Sequence, residues 1–390
     1  MTDKPRPFDI VVYGTTGFTG RLVAEYLAAT YGNAGHPRWA MAGRSEAKLA
    51  EVRDEIDAPE NTPLIVANAD DPASLQALAQ STQVVISTVG PYQLYGTGLV
   101  EACVAAGTAY ADLCGEPLWM RDMIDAHEAA ARASGARICF SCGFDSIPFD
   151  LGVAFLQREA IARHGKPAPR VKGRVRAMQG GASGGTMASL GATLKAVAKK
   201  PSLALLLRSS FALTPGFDGP SQPSGLVPEY DRATGTWTAP FVMAPINTKN
   251  VHRTNFLLDH AWGKDFTYDE MVMTTPGEAG KAMAEALAKA SPLGERKLKP
   301  GEGPSREERE AGFYDILFIG EYPDGTTIRA SVKGDRDPGY GSTSKMIAET
   351  AMALLDARHE GGIWTPGALL GEALQQRLEQ HAGLSFALEP

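Results

Sequence analysis

Three glycines, Gly14, Gly17 and Gly20, break the stretch IVVYGTTGFTGRLVAEYL (residues 10–27) where an apolar run hands over to a helix-like pattern. Glycine inside a regular element destabilises it by about 0.5–1 kcal/mol, so three at one junction need a physical reason. At the point where a parallel strand feeds a helix, unpaired amide hydrogens and the helix dipole favour an anion. Gly14 permits the turn, Gly17 lets backbone approach a pyrophosphate, and Gly20 lets the helix lie close to the sheet. Thr15 and Thr16 add hydroxyls, and Phe18 completes the turn. A tight turn without a ligand is the plainer alternative.

The turn heads a regular alternation. Strand-like runs lie at 8–13, 38–43, 63–68, 83–89, 108–113 and 136–141, with helical stretches near 20–31, 45–56, 72–80, 96–106 and 118–134. Short apolar strands separated by helices predict a parallel sheet covered on both faces, the doubly wound Rossmann arrangement. After residue 150 the pattern changes. Runs at 170–178, 237–246, 313–322 and 326–334 read as strands, the last two forming a hairpin across the PDG at 323–325. They predict a second, α+β domain with a largely antiparallel sheet. The expected organisation is 1–150, 151–338 and a helical segment 339–390 that packs back on the first domain. Residues 293–312, charged and rich in Pro and Gly, read as a solvated loop.

The end of the second strand bears on which dinucleotide binds. An NAD site usually carries an acid there to hold the ribose 2′-hydroxyl. This chain has Gly43-Arg44-Ser45 instead, with Lys48 one turn on. A guanidinium grips a 2′-phosphate bidentately and a second cation adds to it, so NADP(H) is the expected cofactor. Asp70, ending the third strand, and Gly90 and Pro91, ending the fourth, complete the predicted cofactor set.

A net charge of −7 disfavours nucleic acid as the main partner. Four cysteines in 390 residues fit a reducing compartment; Cys139 and Cys142 imitate a C-x-x-C motif, but no second Cys or His pair has ligand spacing to complete a metal site. No run approaches the ~20 apolar residues of a membrane-spanning helix. Residues 194–213, which mix Lys195, Lys199, Lys200 and Arg208 with leucines, leave peripheral membrane contact open. A cytoplasmic homodimer acting on a small-molecule or carrier-bound acyl substrate is the expectation.

The motifs VVYGTTGFTG, AGRS, STVGPYQLYG, YADLCGE, CGFDSIPFD, GGASGGT and DPGYGSTSKM occur in this order and span nearly the whole chain. Together they resemble the saccharopine dehydrogenase-like oxidoreductases, and most of all their trans-acting enoyl reductase subgroup. The resemblance implies NADP(H) use through Gly14, Gly17, Gly20 and Arg44. It also implies reduction of a carbon–carbon double bond in an acyl chain held by a polyketide synthase, but it places no catalytic residue.

Hydride transfer needs orientation by the protein and a proton donor. Asp145, in CGFDSIPFD, is one candidate acid, set against a role in capping the next helix. Tyr92 offers a phenol and Lys345 an ammonium. Tyr110, Asp112, Cys114 and Glu116 form a polar cluster with either a chemical or a structural role. Cys142, Ser183 and Thr186 are candidate substrate contacts. Three alternatives to an acyl or carbonyl reductase remain. A semialdehyde dehydrogenase would use Cys142 as nucleophile. A saccharopine-type amino-acid dehydrogenase would use Arg170, Arg174 and Arg176 for substrate carboxylates. A non-catalytic NADP(H) sensor would need neither. A short-chain dehydrogenase is disfavoured because no Tyr-x-x-x-Lys pair occurs.

Overall fold

The computed structural model describes residues 6–32, 35–180, 184–201, 203–290 and 302–390. The first part alternates β1 (Phe8–Tyr13), α1 (Phe18–Tyr31), β2 (Trp39–Gly43), α2 (Glu46–Glu55), β3 (Leu64–Val66), α3 (Pro72–Ser81) and β4 (Thr82–Ser87). It continues through α4 (Tyr92–Tyr95), α5 (Thr97–Ala106), β5 (Ala109–Asp112), α6 (Pro117–Ser134) and β6 (Arg137–Cys139). All pairings are parallel, in the order β6-β5-β4-β1-β2-β3. This is the doubly wound order, with the chain reversing direction across the sheet beside β1. Ile10, Val11 and Val12 are all buried although they point to alternate faces, as a strand covered on both sides requires.

Next come α7 (Ile147–His164), β7 (Arg170–Gln179), α8 (Gly184–Lys199), α9 (Leu203–Arg208), β8 (Glu229–Asp231), β9 (Thr236–Pro240), α10 (Ala244–Leu257), β10 (Thr267–Met273) and α11 (Gly277–Lys289). α12 (Arg306–Glu310), β11 (Phe313–Glu321) and β12 (Thr327–Gly334) follow. The run at 237–246 is not one strand. β9 stops at Pro240, and α10 opens with Pro245 in its first turn, where the missing amide hydrogen does no harm. β8 and β10 were not anticipated. The hairpin is present, with Tyr322 N donating to Thr326 O at 2.9 Å and Gly325 at φ +86°. Within 293–312, residues 306–310 form a helix with a Ser305/Glu308 capping box, while 293–301 lie outside the described residues.

The last part holds a π-helical turn (Pro338–Ser342), α13 (Thr343–Asp356), β13 (Gly362–Trp364), α14 (Pro366–Leu369), α15 (Gly371–Arg377) and β14 (Leu384–Glu389). It does more than supply helices. β13 adds a seventh parallel strand beside β6, and β14 completes a second seven-stranded sheet, β14-β12-β11-β7-β10-β9-β8. That sheet is antiparallel except for the β7/β10 pair. One face receives α7, where Gly152 lies so close that a Cβ would sit 2.4 Å from Phe318 Cε2.

The other face carries an ionic lattice. Arg174, fully buried, donates to Asp231 (2.7 Å) and Asp269 (2.8 Å). Arg170 pairs with Asp269, Lys172 with Asp231 and Glu321, and Arg176 with Asp315 and Glu389. The three arginines are therefore bound to the protein's own carboxylates, which overturns their nomination as substrate ligands.

α13 packs on α1 and β4 through a buried carboxylate. Glu349 accepts from Tyr26 and Tyr31, each at 2.7 Å, and from Arg377 at 2.8 Å. Removing one partner of such a pair strands the other, and Arg377 is only partly exposed. Glu349→Ala should lower unfolding free energy by about 2–3 kcal/mol in urea melts. An unchanged midpoint would show that the hub contributes nothing.

Candidate active site

The carboxyl ends of the first sheet's strands build the site. At β1, Gly14 N donates to Ala42 O (2.9 Å) and Gly17 N to Gly14 O (2.9 Å), closing the turn. Gly14 sits at φ +101°, and a Cβ there would meet Thr88 Oγ1 at 2.6 Å. A Cβ on Gly20 would lie 2.2 Å from Gly14 O, so only glycine lets α1 start this close to the turn. At Gly17 the nearest atom would be Gly14 O at 3.3 Å, which leaves that side open. No side chain caps α1, so its first amides remain available to an anion. Thr16 and Gly17 are exposed. Thr15 is buried and its hydroxyl reaches Ala42 O (3.4 Å), so it shapes the turn and faces no ligand. Phe18 packs edge-on against Tyr340, which makes it a prop for the helix start.

Beyond β2, Arg44 and Lys48 are both exposed, and neither side chain has a hydrogen-bond or ion-pair partner among the described residues. The Tyr13 phenol lies between Arg44 and Asp70; burial raises its pKa and Arg44 partly offsets this. Ser45 caps α2 by accepting from Lys48 N (3.4 Å), which places the two cations one turn apart beside the glycine turn. Gly90 is exposed and a Cβ there would be 3.7 Å from Ser189 Oγ, so α8 stands beside this loop. Pro91 is buried as the N-cap of α4.

Past β5 and β6 the chain is shaped by Asp112. Its carboxyl accepts from Cys114 N, Ser141 N and the Tyr110 hydroxyl, each at 3.0 Å, and burial raises its pKa to about 7 in spite of these donors. Ser141 lies at φ +60°, and Cys142 N donates to Asp112 O (2.7 Å). This bend delivers residues 142–146 to the sheet edge. Of these five only Asp145 keeps some exposure, yet its Oδ1 is buried and has no hydrogen-bond partner among the described residues. Burial raises its pKa to about 7, so a large fraction is protonated at neutral pH. Ser146, not Asp145, is the N-cap residue of α7.

α10 and β10 bring a second group of polar residues to this loop. Asn250 Nδ2 donates to Ser146 Oγ (2.8 Å), and Asn247 Nδ2 to Glu270 Oε2 (2.9 Å). The Tyr268 hydroxyl donates to Glu270 Oε1 (2.9 Å). Glu270 is buried, and desolvation, reinforced by the charges of Asp269 and Asp145, pushes its pKa well up. Asp145 and Glu270 therefore resist ionising together. None of Asn247, Asn250, Tyr268 or Glu270 was foreseen. Their signal, TYDEMVM and PINTKNVHRTN, resembles solvated chain.

Comparison with known proteins follows from this geometry. Residues 10–139 match the saccharopine dehydrogenase NADP-binding domain. A Mycobacterium tuberculosis protein, named provisionally as a trans-acting enoyl reductase, is 41% identical over 99% of this chain and 98% of its own. The Mycobacterium ulcerans trans-acting enoyl reductase is 36% identical, covering 97% of each. Yeast saccharopine dehydrogenase shares the fold, with TM-score 0.54 and 11% identity over 98% of this chain and all of that one. The chain belongs to the saccharopine dehydrogenase-like family, in its trans-acting enoyl reductase branch.

The protein is an NADP(H)-dependent oxidoreductase. The open turn at Gly17, the uncapped start of α1 and the unpaired Arg44 and Lys48 fit that cofactor. Three nominated side chains do not fit their expected roles. The Tyr92 phenol is buried, donates to Ser87 O (3.0 Å) and accepts from Leu113 N (3.1 Å), so it ties β4 to the loop after β5. Cys142 is buried, its thiol donates to Cys139 O (3.3 Å), and desolvation raises its pKa well up. It can neither touch substrate nor act as a thiolate, which removes the semialdehyde dehydrogenase mechanism. Lys345 lies 3.9 Å from Asp335, an ion pair in the segment after β12. Glu116 is structural, accepting from Tyr92 N and Gln93 N at the start of α4. Ser183 and the side chain of Thr186 lie outside the described residues.

Arg44→Ala should weaken NADPH binding about 10–100-fold by calorimetry, the worth of one charge-assisted pair, and leave NADH affinity unchanged. An unaltered NADPH/NADH ratio would remove Arg44 from the 2′-phosphate site.

Proposed function

We propose that this protein reduces the α,β-double bond of an acyl thioester and that Asp145 supplies the α-proton. Asp145 carries the reading, being a carboxyl held near pKa 7 by burial, without an internal partner, on the sheet edge that holds the cofactor turn. β6 lies three strand spacings, about 14 Å, from β1 along that edge, within the reach of an extended dinucleotide. Bound NADPH supplies a hydride for the β-carbon. The double-bond electrons move onto the thioester carbonyl and return to form the α-carbon–hydrogen bond with the Asp145 proton. Solvent reprotonates the carboxylate through the exposed side of the residue. Burial keeps Asp145 protonated, and an ionised Asp145 would in turn hold the buried Glu270 neutral. The names of the relatives support enoyl reduction, and the neutral carboxyls of Asp145 and Glu270, which disfavour an anion nearby, support an uncharged acyl group.

Asp145→Asn should lower kcat on crotonyl thioesters about 100–1,000-fold with NADPH affinity intact. Wild-type kcat should fall as pH rises through about 7, as Asp145 loses its proton. A raised folded pKa makes the wild type lose stability between the unfolded value, near 4, and about 7. Asn cannot ionise, so the Tm gain of Asp145→Asn should be larger at pH 8 than at pH 5. Full activity in this variant would end the assignment, and a pH-independent Tm difference would show that Asp145 is not buried as described.

A further inference from the structure

Three buried oxygens around Asp145 have no donor among the described residues: Asp145 Oδ1, Asn247 Oδ1 and Asn250 Oδ1. Asn247 and Asn250 are fully buried and three positions apart on α10, so they share a face. Their amide nitrogens are anchored on Glu270 and Ser146, which fixes the side chains and turns both carbonyls away from those partners. The cations on the same helix do not donate to them. Lys249 is committed to Pro245 O (2.7 Å), and Arg253 to Leu213 O (2.6 Å) and Ile363 O. Each buried acceptor left unpaired costs about 1–3 kcal/mol, so the arrangement suits a ligand that brings hydrogens.

We propose that Asn247 and Asn250 form, beside Asp145, a subsite for an N–H donor on the substrate. The inference rests on the thioester reading only in placing this donor on the arm that carries the sulfur. The two asparagine carbonyls disfavour an anion, and an alkyl chain would leave them unsatisfied. An amide N–H and a protonated amine share the required chemistry. For the first, the acyl chain would arrive on an amide-containing thiol; for the second, on an amine.

The test compares crotonyl thioesters of N-acetylcysteamine and of pentane-1-thiol with NADPH-loaded protein. N-butylacetamide and butylammonium serve as competitors, and their binding is also followed through NADPH fluorescence. The wild type should favour the amide-bearing thioester about tenfold in KM, the value of one hydrogen bond to a fixed acceptor. Asn247→Ala and Asn250→Ala should bring that ratio close to one, with Asn250→Ser as a milder second variant. Competition by N-butylacetamide alone identifies an amide, and competition by butylammonium alone an amine; either supports the subsite. Probe binding that both alanine variants abolish, without turnover of any thioester, keeps the subsite and overturns the enoyl reading. Binding of neither probe, with a KM ratio near one in the wild type, overturns the subsite, and the wild-type measurements need no variant to fold.

Discussion

The carboxyl of Asp112 sets the path of the chain where two neighbouring strands leave the first sheet. It gathers amide hydrogens from the segments after β5 and β6 and a phenol from within β5. Without those acceptors Ser141 would have little reason to adopt a left-handed backbone. The segment beyond would then not present Asp145 at the sheet edge while burying Cys142, Gly143 and Phe144. Asp112 is itself desolvated, so the network holds an acid close to neutrality in order to position another acid. Chemistry at one carboxyl thus rests on geometry enforced by a second.

The contact between the sheets is unusual for its polarity. α10 buries Asn247, Lys249, Asn250, His252, Arg253 and Thr254, where a surface helix would bury a stripe of leucines. The charged groups respond as desolvation requires. Lys249 is lowered to about 8, His252 to about 3, and Asp150 raised to about 7. Neutral forms are cheaper to bury than ions, and most are tied to backbone carbonyls or hydroxyls. Among the described residues, three of the unpaired buried atoms are Asp145 Oδ1, Asn247 Oδ1 and Asn250 Oδ1, while the others, such as Arg174 Nη2 and Trp364 Nε1, lie elsewhere. A fold that tolerates unsatisfied acceptors in one place sacrifices stability there, as functional surfaces commonly do.

The first sheet was legible because its signals are local. Glycines at a strand–helix junction, apolar strands and amphipathic helices each lie within a short window, and boundaries came within a few residues. The glycine turn and Arg44 were legible for the same reason. The second sheet was legible only in part: its antiparallel character and the β11/β12 hairpin are local signals, while its order joins β14 to β12 and β7 to β10 across long separations. β10 hides because Asp269 faces the ionic lattice while Glu270 faces α10, so polar residues occupy both sides and no alternation survives. The apolar run after Trp237 concealed the start of α10, where only Pro245 marked the change. Tyr92 shows the converse error. Its residue type suggested chemistry, but Ser87 O on the strand just before it and Leu113 N in the loop after β5 occupy the phenol as acceptor and donor.

The backbone passes between the two sheets three times: after β6, after β12, and between α15 and β14. Closure of one sheet on the other therefore has to bend all three passages together, a stiffer hinge than a single passage would make.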